Sequence, residues 1–466
     1  MKKNGKTNGL NELTIYLSNM SEDVWPFIKS ISDPYKRQSE IIENALLSEH
    51  DLFSFSGRDN VILILPKTIS ELYLNYFLGI SNNRNFQIFT PKLHTGEICK
   101  DIISDKSVLE ELISIASKYK KVNMVSYTNS WQFLNLTEIL RKKGIKLDLP
   151  ESPAVADSWT VDFFGSKSGI RQLAQQSGVK EPDFMMPQGL ISIDIDNTAK
   201  MAAKMYIKEK SLVLKTNKGH AGAGLHIFRE NDLPPDYNRC VNEILNKFRK
   251  ENYWSQFPII VEKYIDPAIS IGGGYPNIEF KINKQGKVEF LYYCALRVSR
   301  EGVFKGVEIH NSVLDDQDTA QIMDTGFFLG EQLAQRGYRG YYELDFVAGK
   351  NGEIYVTESN VRRTGGTHVY HLARFLFGKD FIYETFILTN NLFPVKRQNK
   401  QTDGGKLFKI LSPILYDKSK KEGLIITGIK LLEQNQFGYV IFGKNKTRAL
   451  KLEKDMEDLL LTGLGG

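Results

Sequence analysis

The sequence predicts an α/β fold at the N-terminal end of the chain and α+β structure beyond it, from three observations. Short apolar runs alternate with helical patterns over the first 150 residues. Strand-like segments broken by glycine loops fill the middle third, and two further strand patterns and a helix follow a polar segment near residue 400. With 466 residues, 41% of them hydrophobic, the chain has material for about two to four domains.

The first segment carries apolar runs at 61–65, 86–89 and 122–125. Between them, apolar residues recur three and four positions apart, as at Ile69, Leu72, Tyr73 and Phe77, which is typical of an amphipathic helix. Strands that alternate with helices predict βαβ units and a parallel sheet. We therefore expect an N-terminal α/β domain over 1–155.

Two breaker-rich stretches, at 151–166 and 394–406, predict the domain boundaries. After the first, Ser166 can cap a helix that carries Ile170 and Leu173 on its apolar face, and Gly178 can end it. The second is polar and precedes strand patterns at 424–426 and 439–442. We expect a central domain over 156–395 and a small C-terminal α+β domain over 396–466.

Composition excludes several functional classes. The net charge of +6 comes from 61 basic and 55 acidic residues, and the basic residues form no patch of the kind that nucleic acids require. The three cysteines lie far apart without a CxxC pair, which argues against a zinc site or a disulfide framework. No secretory signal or membrane-spanning run is evident. A cytoplasmic protein with a small anionic ligand is the expectation.

A lysine and a glycine-rich loop form the first candidate site. Lys215 closes an apolar run, and Gly219, Gly222 and Gly224 follow before another apolar run begins. Glycines allow backbone N–H groups to approach phosphate oxygens, and a nearby lysine supplies a positive charge. No GK[ST] follows and the loop opens no helix, so neither a Walker motif nor a dinucleotide fingerprint is present. A plain hairpin turn is the alternative.

An acidic hairpin forms the second candidate site. Apolar segments at 340–348 and 353–358 flank a turn, and Asp345, Glu358 and Asn360 fall on one face of the predicted strands. Oxygen ligands on adjacent strands suit Mg²⁺. Arg362 continues the alternation and could stabilise charge on a transferring phosphoryl group. The alternative is a hairpin whose acids face water.

These motifs, in this order, resemble the ATP-grasp superfamily. The resemblance implies a lid over about 180–265 and a second subdomain over about 266–395. It also implies a metal site at Asp345, Glu358 and Asn360, and a phosphate contact at Arg362. The implied nucleotide-binding residues are Lys167, Lys215, Gly219, His220, Ala221, Gly222, Ala223, Gly224, Glu262, Lys263, Tyr264 and Ile265. No residue after the hinge at 261–265 matches the usual ribose contact.

The flanking segments are similar to the peptide-ligase family of pheganomycin biosynthesis. This narrower resemblance rests on the N-terminal α/β domain, on the segments at 424–429 and 437–440, and on the loop that follows Arg362. It implies that substrate contacts come from that loop: Arg363, Gly365, Gly366, Thr367 and His368. Arg297 resembles a basic residue that contacts the acyl phosphate, and a surface arginine on an amphipathic strand is its alternative.

The resemblance implies a ligase that joins a carboxylate, activated by ATP as an acylphosphate, to an amine. Amino acids or peptides are the implied substrates, with two Mg²⁺ ions, or Mn²⁺ in their place, and no nucleic-acid or membrane partner; a homodimer is left open. A small-molecule kinase or a thiol or CoA ligase would use the same nucleotide site. A non-enzymatic nucleotide-binding regulator would lack the metal ligands or the arginine, and a nucleic-acid binder would need basic and aromatic residues grouped together.

Overall fold

The computed structural model describes residues 12–178, 180–220, 223–299, 302–395 and 403–464. Its first part is a five-stranded sheet with strands β1 (Glu12–Leu17), β2 (Val61–Ile64), β3 (Phe86–Phe89), β4 (Lys121–Ser126) and β5 (Leu147–Asp148). The helices of this part are α1 (Met20–Asp23), α2 (Trp25–Ser30), α3 (Pro34–Leu47), α4 (Glu71–Ser81), α5 (Ile98–Ser104), α6 (Lys106–Ala116) and α7 (Trp131–Lys142).

All five strands run parallel, in the order β3-β2-β1-β4-β5. Strand β2 is buried at every position, which explains its unbroken apolar sequence, because helices cover both faces of such a sheet. Side-chain caps start the helices: Ser70 accepts from the backbone N–H of Tyr73, and Ser130 from that of Phe133. The predicted parallel α/β arrangement is therefore confirmed.

A four-stranded antiparallel sheet and its helices make up the second part. The elements are α8 (Trp159–Phe164), α9 (Lys167–Ser177), β6 (Gly189–Ser192), α10 (Ile195–Glu209), β7 (Leu212–His220), β8 (Ala223–Phe228), α11 (Tyr237–Phe248), α12 (Tyr253–Gln256) and β9 (Ile259–Glu262). The strand order is β6-β9-β7-β8. Ser166 caps α9 by accepting from the backbone N–H of Gly169, as its sequence predicts.

An eight-stranded sheet forms the third part. Its elements are β10 (Pro276–Ile282), β11 (Val288–Val298), β12 (Phe304–Ile309), α13 (Asp316–Gln335), β13 (Gly340–Ala348), β14 (Ile354–Asn360), α14 (Thr367–Phe377), α15 (Phe381–Glu384), β15 (Phe386–Pro394), α16 (Gly404–Leu411), β16 (Gly423–Gly428), β17 (Gln436–Gly443) and α17 (Lys446–Leu464). The strand order is β14-β13-β10-β11-β12-β15-β17-β16.

The last two strands extend the large sheet rather than forming a sheet of their own. Strand β17 pairs antiparallel with β15, and β16 forms the outer edge. One hydrophobic cluster joins Tyr16 and Phe53 of the first part to Val307 of the large sheet and Ile441 of β17. The core therefore crosses the predicted boundary at 396, whose position as a domain limit stays a prediction. No helix of the described residues is long and apolar enough to cross a lipid bilayer.

Candidate functional site

The predicted acidic hairpin is present, and its turn is compatible with the observed pairing of its two strands. Strands β13 and β14 pair antiparallel, with Asp345 opposite Glu358. Between them, the backbone N–H of Gly349 donates to the carbonyl of Glu353 at 2.8 Å, and Gly352 has a φ of +82°, a conformation that glycine adopts without strain. The predicted metal residues therefore lie on neighbouring strands.

Two rows of polar residues cross strands β10, β13 and β14. Directly paired residues of adjacent strands project from the same face of a sheet, and residues two apart along a strand share that face. The first row is Asn277, Asp345 and Glu358, and the second is Glu279, Glu343 and Asn360. The site thus contains more acidic groups than the sequence motif indicates.

Asp345 lies at the centre of this polar face. Asn277 Nδ2 donates to its Oδ1 at 2.7 Å, and Asn360 Nδ2 donates to its Oδ2 at 3.1 Å. Burial, followed by the neighbouring charges of Glu343 and Glu358, raises the pKa of Asp345 well above its usual value. Burial also raises the pKa of Glu343 to about 7. Each ionised carboxylate makes ionisation of its neighbours less favourable. A cation bound among them would offset this repulsion.

Cationic side chains lie at the β14 end of the two rows. Lys167 Nζ donates to Glu358 Oε1 at 2.8 Å. Burial would raise the pKa of Glu358, but Lys167, Lys215 and Arg362 outweigh it and lower that pKa. Arg362 Nη2 donates to Asn360 Oδ1 at 2.9 Å. Lysine, arginine and carboxylate groups therefore meet on one face, as the motifs predict.

The predicted hinge acid, Glu262, is only 2% exposed. Its Oε2 lies 2.8 Å from Lys215 Nζ, and its Oε1 accepts from Arg171 Nη2 at 2.5 Å. Arg171 also donates to the carbonyl of Pro187. The Glu262 carboxylate is therefore engaged by Lys215 and Arg171, and it fixes Lys215 at the site.

A cavity of about 620 Å³ extends from this hinge to helix α3. Its volume lies within the range usual for ligand pockets, about 300–1,000 Å³. The predicted residues that line it come from α9, from the four-stranded sheet and from the eight-stranded sheet with the segment that follows β14. They are Lys167, Lys215, Gly219, Gly224, Glu262, Lys263, Tyr264, Ile265, Asp345, Glu358, Asn360, Arg362, Gly365, Gly366 and His368.

The glycine hairpin contributes its two ends to the cavity. Gly224 has a φ of +80°, and a Cβ placed on it would lie 2.1 Å from Thr216 Cγ2, so this position requires glycine. Lys215 lies within β7, paired with Leu225, and not at the strand end that the sequence predicts. The predicted contacts at Ala221 and Gly222 lie outside the described residues, as do the side chains of His220 and Ala223.

Two hydrogen bonds hold the loop after β14 against Glu279 of the second row. Thr367 Oγ1 donates to Glu279 Oε1 at 2.5 Å, and Thr364 Oγ1 donates to Glu279 Oε2 at 3.2 Å. A Cβ at Gly366 would lie 2.1 Å from the Tyr292 hydroxyl, so the backbone approaches its neighbours closely here. Thr367, predicted to bind substrate, instead holds the loop on Glu279 and is not among the residues that line the cavity.

His368 is also buried, at 3% exposure, and its ring centroid lies 5.0 Å from that of His50. Burial lowers the pKa of His368 well below its usual value, and that of His50 to about 3. Both rings are therefore neutral at physiological pH and line the cavity as uncharged groups.

Two predicted residues lie away from this group. Arg297 Nη1 donates to Glu453 Oε1 at 2.7 Å and to the carbonyl of Thr389 at 2.8 Å. Arg363 Nη2 donates to Glu151 Oε2 at 2.5 Å. Neither arginine lines the cavity. Leu296 and Val298 do line it, which agrees with strand alternation turning Arg297 to the opposite face.

Several residues of the site are not among those that the sequence motifs indicate. Glu343 could have been found, because it stands two positions before Asp345 and shares its face. Asn277 and Glu279 alternate in the same way on β10, but only the strand register brings them beside Asp345. Asp23 accepts from Arg362 Nε at 2.8 Å across 339 residues of sequence, and no local pattern indicates that contact.

The oxygen donors fit one class of metal. No three His, Cys, Asp or Glu side chains in the described ranges are grouped so that they alone would hold a metal ion. Asp345, Glu358 and Asn360 offer two carboxylates and an amide on one face. Mg²⁺ prefers oxygen ligands and completes its shell with waters and substrate phosphates. The set therefore fits Mg²⁺ shared with a nucleotide better than a cation enclosed by protein.

Comparison with known proteins identifies the fold. No protein-family model matches the chain, and no curated protein matches it. Among solved structures, biotin carboxylase from Campylobacter jejuni, in a β,γ-ATP complex, is 13% identical with a TM-score of 0.55 over 97% of this chain and 95% of that chain. N5-carboxyaminoimidazole synthetase from Staphylococcus aureus, with ADP, is 11% identical with a TM-score of 0.52 over 97% and 98%.

The biotin carboxylase domain of Hydrogenobacter thermophilus 2-oxoglutarate carboxylase, a dimer with MgADP and bicarbonate, is also similar. It is 12% identical, with a TM-score of 0.52 over 96% of this chain and 89% of that chain. At such low identity these similarities bear on the fold alone. The chain shares the overall fold of these structures, which agrees with the α/β and α+β fold that the sequence motifs predict. The peptide-ligase family of pheganomycin biosynthesis has no counterpart among these three structures.

Proposed function

We propose that the protein is an ATP-dependent ligase that joins a carboxylate to an amine through an acylphosphate. The observation that carries the proposal is that Lys167, Lys215 and Arg362 line the same cavity as Asp345 and Glu358. Cations that can hold phosphate oxygens and carboxylates that can hold Mg²⁺ are both needed when an anion attacks the γ-phosphate of ATP. ATP with Mg²⁺ is accordingly the proposed cofactor set.

Each group has a distinct part in this proposal. Lys215, fixed by Glu262, would hold the phosphates of the nucleotide, and Lys167 would move from Glu358 to phosphate when Mg²⁺ occupies the carboxylates. Bound Mg²⁺ would supply positive charge to the transferring phosphoryl group. Arg362 would contact the anionic substrate or the acylphosphate. Hinge residues 262–265 would hold the adenine base.

Buried surroundings would protect the intermediate. Water hydrolyses an acylphosphate, so the site must exclude it before the amine arrives. Gly219 and Gly224 of the hairpin of β7 and β8 lie in the wall of the cavity, and glycine-rich loops often close on a bound substrate. We propose amino acids or peptides as substrates, in line with the resemblance of the flanking segments to peptide ligases.

Hydroxylamine trapping tests the proposal directly. The protein, Mg²⁺ and ATP would be incubated with panels of amino acids and short peptides, and hydroxylamine would capture any acylphosphate as a hydroxamate. We expect ADP release and a hydroxamate with at least one carboxylate, and an amide of matching mass when an amine replaces hydroxylamine. A phosphorylated alcohol would instead identify a kinase, and a thioester a thiol or CoA ligase. ADP release without any of these products would contradict the ligase proposal.

A further inference from the structure

The end of the cavity beside helix α3 contains polar groups that the proposed nucleotide chemistry does not use. Glu40, Glu43 and Asn44 project from one side of α3 and line the cavity, as positions three and four apart on a helix do. They face Phe304 and Lys305 of β12 and Asn391 of β15, which also line it. We call these six residues the α3 subsite.

Two buried hydrogen-bond acceptors of the α3 subsite, one on Glu40 and one on Asn391, have no partner among the described residues. Glu40 Oε2 is buried without a hydrogen-bond partner. Burial raises the pKa of Glu40 to about 7, with the nearby charge of Glu43 adding to the effect. Burial also raises the pKa of Glu43, and the positive charge of Lys305 offsets part of that rise. Within the described ranges neither glutamate forms an ion pair at contact distance, and two neighbouring carboxylates that share one distant cation are costly to bury.

An independent acceptor lies in the same wall. Asn391 is 4% exposed, and its Nδ2 donates to the carbonyl of Gly365 at 3.0 Å. Since that carbonyl can only accept, the orientation of the amide is fixed. Its Oδ1 is consequently an acceptor, and it has no partner among the described residues. A buried amide oxygen without a donor is rare in native proteins, and a ligand that brings an N–H donor would satisfy it.

Asn391 and the loop after β14 connect this subsite to the reacting groups. A Cβ on Gly365 would lie 2.7 Å from the Phe304 ring and 2.9 Å from Asn391 Nδ2, so these three residues are in close contact. Gly365 follows Arg362 by three positions, and both line the cavity. A molecule in the α3 subsite would therefore lie beside the place where Arg362 would hold the acylphosphate.

We propose that the α3 subsite binds the amine substrate of the ligase, and that it selects an amine carrying a second positive charge, such as a diamine or a basic amino acid. Glu40 and Glu43 would be the counter-ions of the distal charge, and Asn391 Oδ1 would accept from one of its N–H groups. This inference rests on the proposed ligase function and adds a substrate class to it.

Calorimetric titration of the protein bound to Mg²⁺ and ADP tests the inference. The probes are 1,5-diaminopentane and n-pentylamine, which share a chain length and differ by one ammonium group. We expect the diamine to bind at least ~10-fold more tightly, since hydrogen bonds to charged groups are the stronger ones. Equal affinity for the two amines, or no binding of the diamine, would overturn the inference.

Matched variants assign the selectivity to these carboxylates. The double variant Glu40→Gln and Glu43→Gln should bind both amines within about twofold of each other, while its affinity for Mg²⁺ with ADP and its melting temperature stay near those of the original chain. Glu43→Gln alone serves if the double variant does not fold. Glu111→Gln, at an exposed position of α6, should keep the ~10-fold preference. Persistence of that preference in the glutamine variants would refute the assignment.

Failure of the inference can be told from failure of the ligase proposal. Hydroxylamine traps an acylphosphate whichever amine the α3 subsite prefers. Hydroxamate formation without a preference for the diamine would contradict only the inference. Absence of a hydroxamate with every carboxylate, together with tight diamine binding, would contradict only the ligase chemistry.

Discussion

Asp345 and Glu358 lie directly opposite each other on neighbouring strands, yet their surroundings differ. Burial and the nearby carboxyls of Glu343 and Glu358 raise the pKa of Asp345. Glu358 has Lys167 at 2.8 Å, and its pKa is lowered. A shared Mg²⁺ would balance the excess negative charge on one side and release the lysine on the other. The two acids are therefore complementary parts of one proposed metal site.

Removing either charge should abolish ATP turnover. We expect Asp345→Asn and Glu358→Gln to lower the rate of ADP release by roughly 10²-fold or more, because each removes charge that positions Mg²⁺ at the phosphoryl group. Circular dichroism should show an intact fold. Glu353→Gln, at an exposed position in the turn of the same hairpin, is the control. ADP release near the original rate in either site variant would show the metal assignment to be wrong.

Local alternation predicts that Asp345, Glu358 and Asn360 share one face, as the strand pairing shows, but it gives no sign of their partners that are distant in sequence. Asp345, Glu358 and Asn360 fall on one face of a hairpin whose strands follow each other closely, so short-range spacing indicates them. Asp23 reaches Arg362 from another sheet, and only the folded chain brings the two together. Arg297 is the opposite case: its sequence predicts the strand, but only the folded chain shows that the other face of the strand lines the cavity. Arg297 pairs on its own face with Glu453 of α17.

At the scale of elements, the pairing of β12 with β15 connects the strands of the proposed metal site to the C-terminal strands. Strand β15 pairs with β12 on one side and β17 on the other. The sequence after residue 400 predicts two strands and a helix in a small domain of their own. In the structure the two strands join the large sheet. Strand patterns specify which face is apolar; they do not specify which neighbour an edge pairs with. The extension of the large sheet could not be deduced from them.

The pairing of β12 with β15 depends on the absence of a side chain at Gly306. A Cβ at Gly306 would lie 2.2 Å from the Thr389 carbonyl oxygen, a backbone atom, so the two strands would have to separate. We expect Gly306→Ala to lower the free energy of unfolding by about 1–3 kcal/mol, as overpacking usually does. Urea denaturation measures the effect.

Gly79 in α4 provides the matched control, because a Cβ there would have nothing within 4 Å. Alanine is favoured over glycine within a helix by up to about 1 kcal/mol, so Gly79→Ala should leave stability unchanged or raise it. Equal destabilisation by the two substitutions would show that the close approach of β12 and β15 is unimportant.

At the scale of the whole molecule, a buried ion network joins the first sheet to the large one. Glu151, just after β5, accepts from Arg363 Nη2 and from Lys281 Nζ, both at 2.5 Å. Arg363 also lies 4.0 Å from the centre of the Tyr341 ring. Burial would raise the pKa of Glu151, but Arg363 and Lys281 outweigh it and lower the pKa to about 2. Arg363 thus holds the two parts together beside Arg362.

Loss of the Glu151 charge should destabilise the protein in a pH-dependent way. Glu151→Gln removes the carboxylate counter-ion of the buried Arg363 and the half-buried Lys281, which we expect to cost about 3 kcal/mol at pH 7. A lowered pKa contributes stability that is present above the unfolded value of about 4.5 and is lost as the pH falls towards 2. The difference from the original chain should therefore shrink by about 1 kcal/mol between pH 7 and pH 4.

Urea denaturation of both proteins at the two pH values checks this expectation. The same Glu111→Gln variant of α6 should show no difference at either pH, because its side chain is exposed. A Glu151→Gln deficit that is as large at pH 4 as at pH 7 would mean that packing, and not the charge of Glu151, is responsible.

His50 packs against the last two strands: a Cβ on Gly438 or Gly428 would lie within 2.5 Å of its Nε2. The wall beside α3 therefore needs residues from opposite ends of the sequence. Translation proceeds at about 5–20 residues per second, so the parallel sheet can form early. The wall beside α3 can form only after β16 and β17 have left the ribosome. A nascent chain released before them would expose the apolar residues that these strands cover. It would be a substrate for chaperones or proteases before it could bind its ligands.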